Sequence, residues 1–151
     1  MSTIKTITSA DLVARIAAEG GANVNVGLSL YRDATYALPS LAYLRAVMLP
    51  AFEVYQRKED VWGGWAVRYD CDNYANELVT FAARCFAHAR DAGEADGFAV
   101  YRVFYCIDGD TTKRHAIAAA LTDKGIVYIE PQTARIVELT DDEKGSIYHA
   151  Y

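Results

Sequence analysis

The chain has 151 residues, 52% of them hydrophobic and 23% charged, which suits a single globular domain (1–151) with a sizeable core and excludes an intrinsically disordered chain. A net charge of -5, with basic clusters no longer than Lys113-Arg114, gives nucleic acid no electrostatic footprint. No apolar run approaches the roughly twenty residues that cross a bilayer.

The opening stretch, Met1 to Thr8, lacks the continuous apolar segment of a secretion signal. Ser9-Ala10-Asp11 followed by Leu12, Val13, Ile16 and Ala17 predicts a short capped helix ended by Gly20-Gly21. Residues 23–30 alternate polar and apolar, which suits a strand or an extended arm, and Tyr31 to Pro39 reads as a loop. Leu41, Leu44, Val47, Met48, Phe52, Val54 and Tyr55 form a helical apolar pattern that Pro50 is expected to break or kink. The charged exit Gln56 to Asp60 leads to Trp62-Gly63-Gly64-Trp65, a turn carrying two large aromatics.

Leu78, Val79, Phe81, Ala82, Cys85, Phe86 and Ala89 recur at helical spacing and predict an amphipathic helix facing a core. Cys71 falls in its first turn, with Asp70 as N-cap and Asp72 beside it. A thiol there meets the positive end of the helix dipole, which favours the thiolate. Residues 91–97 form a loop, Phe98 to Ile107 is the longest β-favouring run, and Asp108-Gly109-Asp110 is a turn leading to His115. His115 opens the apolar run Ala116 to Leu121, and after Asp123-Lys124-Gly125 a second strand, Ile126 to Ile129, runs into Glu130-Pro131-Gln132-Thr133. A hairpin of these two strands brings His115 and Glu130 to neighbouring ends, within reach of each other. Arg135 to Leu139 alternates as a last strand. Helices first and an antiparallel meander afterwards define an α+β class: N-terminal helices, with a cysteine at one helix N-terminus, packed on an antiparallel sheet.

Taken alone, Cys71 reads as a packing cysteine, as Cys85 and Cys106 do, and His115 as a structural histidine. Their coincidence with Glu130 is what suggests chemistry. Cys85 and His88 stand at a ligand-like spacing, but no second close pair completes a structural zinc site. An odd number of cysteines, three in all, cannot pair completely within the chain and suits a reducing, cytoplasmic setting.

The order Cys71-Asp72-Asn73-Tyr74-Ala75 at a helix head, a strand opened by His115, and then Ile129-Glu130-Pro131-Gln132-Thr133 resembles a papain-like family of small, often phage-encoded cysteine proteases. It is also similar to the cysteine-protease domain attached to a mushroom agglutinin. The resemblance covers roughly residues 60 to 135 and implies a papain-like fold with a Cys71-His115-Glu130 triad, in which Cys71 is the nucleophile, His115 the base and Glu130 its orienter. It also implies active-site roles for Gln132 and for Trp65 or Trp62, near the oxyanion or walling the groove. Asn73 departs from the pattern, since many relatives carry an acidic residue there. The resemblance further implies calcium activation, for which Asp70, Asp72 and Glu77 are weak candidate ligands.

Three readings follow. The first is a hydrolase acting on amide bonds of a peptide or protein substrate through Cys71, a peptidase or amidase. The second is a non-catalytic binding module, or phage accessory protein, holding a host or virion partner; the 11 tyrosines fit a recognition surface. The third is a transglutaminase-like acyl transfer.

Overall fold

A computed structural model describes residues 4–20, 24–60, 69–89 and 94–151 of the chain. Strand β1 (Thr6–Thr8) runs straight into helix α1 (Ser9–Gly20), whose buried Leu12 and Ile16 lie one turn apart. β2 (Asn25–Val26), a 3-10 turn at Leu28–Tyr31 and β3 (Thr35–Ala37) follow. The predicted loop from Tyr31 to Pro39 therefore contains a strand, and the predicted arm contributes only two residues of sheet.

Helix α2 (Leu41–Tyr43) is capped by Ser40, whose Oγ accepts the Tyr43 N–H at 3.1 Å. It passes through a π turn at Leu44–Met48 into α3 (Leu49–Lys58). Pro50, expected to break or kink the helix, sits in the first turn of α3. A proline lacks the N–H for an interior helix bond, and its ring crowds the preceding turn. The wider π turn directly before it, closed by the Leu49 N–H donating to the Leu44 carbonyl, lets the chain continue past the ring.

Helix α4 (Cys71–Ala87) is followed by β4 (Gly97–Phe98), β5 (Val100–Cys106), a 3-10 turn at Ile107–Gly109, β6 (Arg114–Thr122), β7 (Gly125–Glu130) and β8 (Arg135–Val137). The last elements are α5 (Asp141–Gly145), with a Thr140–Glu143 capping box, and β9 (His149–Ala150). The larger sheet has the order β2-β9-β5-β6-β7-β8, and β1-β3-β4 forms a smaller one.

The larger sheet is covered on both faces. Tyr101, Val103, Ile117, Ala119, Leu121 and Tyr128 pack with Leu12 and Ile16 of α1. Val100, Ala118, Ala120 and Ile129 pack with Phe52 of α3 and with Leu78 and Ala82 of α4. Successive residues of a strand point to opposite faces, so a strand buried on both sides must be apolar throughout. That accounts for the run Ala116 to Leu121, every residue of which is buried. The alanines at 118 and 120 leave room for α4 to approach β6 closely, with its own Ala75 and Ala82 buried.

The predicted arrangement of N-terminal helices on an antiparallel sheet is corrected here. The N-terminal third supplies strands as well as helices. β2 pairs in parallel with β9, and β3 pairs antiparallel with β1 and in parallel with β4. The chain therefore closes on itself from both ends, with α1 on one face of the larger sheet and α3 and α4 on the other.

Candidate functional site

The β5–β6 and β6–β7 hairpins fix the heart of the site. Register pairs Tyr105 with His115 across β5 and β6, and Ala118 with Ile129 across β6 and β7. His115 and Glu130 thus come to the same end of adjacent strands, and His115 Nε2 lies 2.8 Å from Glu130 Oε2. Both side chains are about one-fifth exposed. The Tyr105 ring meets the imidazole edge to face, with centroids 5.8 Å apart. Glu130 Oε1 accepts the backbone N–H of Gln132 at 3.1 Å, so both carboxylate oxygens are engaged and the imidazole is held in one orientation.

Cys71 stands at the head of α4, half-buried, with the backbone N–H of Ala116 directed at its sulfur. Burial pushes its thiol above the ordinary cysteine range, and the Asp70 and Asp72 carboxylates add to that. The Ala116 and Asp72 amides pull in the other direction without prevailing. The expectation of a favoured thiolate is therefore corrected: desolvation, with two adjacent carboxylates, sets the net direction upward. Among the described residues no hydrogen bond joins Cys71 to the His115 ring.

Gln132 lies in the turn after β7 and not on a continuing strand. Pro131 ends the ladder because it has no N–H to give. The Gln132 backbone N–H supplies the contact to Glu130. Trp62 and Trp65 lie outside the described residues. Tyr105 and Tyr148, both near enough to Cys71 to feel its charge, were not singled out from the sequence. The Asp108-Gly109-Asp110 turn, which sets the Tyr105–His115 register, was the available signal for Tyr105.

The three acids suggested for calcium do not gather. Asp72 shares a hydrogen bond with Asp70, which, with burial, holds its carboxyl above the usual range. Glu77 lies farther along α4, where it accepts hydrogen bonds from Tyr55 and Tyr69. Among the described residues no group of three or more His, Cys, Asp or Glu side chains could hold a metal ion. These residues do not fit calcium, whose sites need six or more oxygens converging at 2.3–2.6 Å, a range typical of such sites in general.

No protein-family model matches the chain, and no curated protein does. Its fold is similar to solved structures of a fungal lectin. A PSL1a–E64 complex matches at TM-score 0.67 and 14% identity, covering 96% of this chain and 50% of that one. Polyporus squamosus lectin bound to the human-type influenza-binding epitope Neu5Aca2-6Galb1-4GlcNAc matches at TM-score 0.67 and 15% identity, covering 96% and 49%. The chain thus spans about half the length of the lectin chains it matches.

This likeness overturns the expected membership of a papain-like cysteine-protease family. The fold is shared with part of a lectin chain. The assignments that rested on that membership are corrected with it: the papain-like fold, the thiol-protease or amidase activity and the transglutaminase-like transfer. The short motifs around Cys71, His115 and Glu130 describe a local constellation and did not identify a family.

Proposed function

We propose that this chain is a non-catalytic binding module, and that the surface around Cys71, His115 and Glu130 is its recognition centre, taking a peptide segment of a protein partner. One observation carries this reading. His115 Nε2 is paired with Glu130 Oε2 at 2.8 Å, while burial, with the Asp70 and Asp72 carboxylates, pushes the Cys71 thiol above its ordinary range. The site is therefore an ordered set of hydrogen-bonding groups beside an unactivated thiol. The Tyr105 ring stands edge to face against His115 with centroids 5.8 Å apart, and the Arg114 guanidinium lies over the Tyr148 ring at 5.7 Å. Tyrosine offers large contact area at low entropic cost, which suits recognition. The likeness of fold to part of a lectin chain, whose structure was solved with a bound saccharide epitope, supports the same reading.

Selection from a displayed random-peptide library tests it. The wild-type chain is expected to enrich a consensus peptide that is recovered at its intact mass after long incubation. His115→Ala should weaken binding of that peptide about ten-fold or more, the scale of one lost hydrogen bond to a charged or polar group. Recovery of the peptide as fragments, with fragmentation abolished in Cys71→Ala, would overturn the binding reading in favour of chemistry.

A further inference from the structure

A concave site lies between α3 and α4. It is a cavity of about 270 Å³ lined by Tyr55, Tyr69, Asn73, Asn76, Glu77 and Arg84, among others. Its construction is specific. Phe52, Tyr55 and Phe81 form an aromatic seam between the two helices, with ring centroids 5.3 to 6.2 Å apart. Glu77 projects from α4 over the end of this seam. The Tyr55 hydroxyl donates to Glu77 Oε1 at 3.1 Å, and the Tyr69 hydroxyl donates to Oε2.

Two phenols thus hold one carboxylate in place, and the carboxylate in turn holds two aromatic rings. A carboxylate has about four lone-pair sites, so after these two bonds Glu77 still accepts from a ligand. Asn73 Oδ1 accepts the Asp70 N–H at 3.2 Å, which fixes the amide with its NH₂ free to donate. Asn76, one turn on and exposed, has no side-chain hydrogen bond among the described residues, and Arg84 at the far end forms no ion pair among them. Spacings of three and four residues place all four polar residues along one face of α4.

A fixed carboxylate acceptor, amide donors beside it and flat aromatic walls are the groups that recognise a sugar ring. Vicinal hydroxyls donate to the carboxylate and accept from an amide, while the C–H face of the ring lies on an aromatic face. Other ligand classes fit less well. A metal ion needs deprotonated oxygen donors, and here the phenols are donors whose burial keeps their protons on. A nucleic acid would meet Glu77 and a chain of charge -5. An apolar ligand would leave Asn73, Asn76 and Glu77 desolvated without partners.

We propose that the cavity between α3 and α4 is a binding site for a neutral saccharide, with Glu77 and Asn76 contacting the hydroxyls and Tyr55 contributing the stacking surface. The probes are lactose, maltose and chitobiose, titrated separately at millimolar concentration into the isotopically labelled full chain and followed by amide chemical shifts. At least one is expected to shift the Asn73, Asn76 and Glu77 resonances saturably. Asn76→Ala should weaken that binding about ten-fold, and Tyr55→Leu by a similar factor. Cys71→Ala should leave it unchanged, which separates this site from the proposed peptide-recognition surface. Because Tyr55→Leu frees one Glu77 oxygen and alters packing, Asn76→Ala at an exposed position serves as the variant with an intact fold. Absence of saturable shifts with all three sugars, or equal affinity in Asn76→Ala, would overturn the proposal.

Discussion

At the scale of single residues, Cys71 shows why position on a helix does not settle thiol chemistry. A helix N-terminus lowers a thiol pKa through partial charge on its free N–H groups. Here burial and two carboxylates within the same turn work against it, and the net direction is upward. Because the thiolate is the reactive form, alkylation by iodoacetamide is expected to be slow at neutral pH and to rise with a midpoint above that of a free cysteine. Asp72→Asn removes one of the raising charges, so its midpoint should move down. A wild-type midpoint below neutral pH, measured by mass-resolved labelling of Cys71, would contradict this. The pairing of His115 with Glu130 could be read from the sequence because a tight turn at Asp123-Lys124-Gly125 fixes the register of two β-favouring runs, and register fixes which ends meet. The placement of the Gln132 side chain could not be read in the same way. It depended on the strand continuing past Pro131, and the backbone turned there instead.

At the scale of elements, long periodic segments were readable and short paired ones were not. α1, α4 and the β5–β6–β7 strands each carry their own signal, in apolar stripes or β-branched and aromatic runs. β1, β3 and β9 are two or three residues long, and what makes them strands is a partner from a distant part of the chain, as in Val26 against Ala150. No local pattern records such a partner. Burial within an element was also partly hidden. Phe81 looks like a core residue from its spacing, yet it is only partly buried and packs on the flank of the cluster, whereas Phe52 is fully buried at its centre. Phe52→Ala is therefore expected to cost about 3–5 kcal/mol and Phe81→Ala only about 1–2 kcal/mol. Urea unfolding of the two variants checks the order. Equal losses would mean that the seam between α3 and α4 carries its stability through ring stacking and not through depth of burial.

At the scale of the whole molecule, the sheet is sealed on both faces, and its tyrosines are sealed with it. Tyr101 is fully enclosed, and Tyr128 reaches out from the core only to donate its hydroxyl to Glu19 at 3.3 Å. Burial pushes both phenols well above the ordinary value of 10.0, and raises Tyr105 to about 12. In the unfolded chain the same phenols lose their protons near 10.0, so above that pH the unfolded state holds fewer protons than the folded one. Stability must then fall as pH rises, because unfolding becomes linked to proton release. The contribution is fully present below pH 10 and is lost as the pH climbs through the raised values of the folded state. We expect the urea midpoint to be steady approaching pH 10 and to drop steeply above it, with the phenolate absorbance of the buried tyrosines appearing together with the loss of helical circular dichroism. Tyr128→Phe removes one of these protons at the cost of a long hydrogen bond to Glu19. It should lower stability slightly at neutral pH and make the alkaline decline shallower. A decline of unchanged steepness in that variant would mean that the buried phenols do not govern alkaline unfolding and that deprotonation elsewhere, Cys71 included, must be responsible.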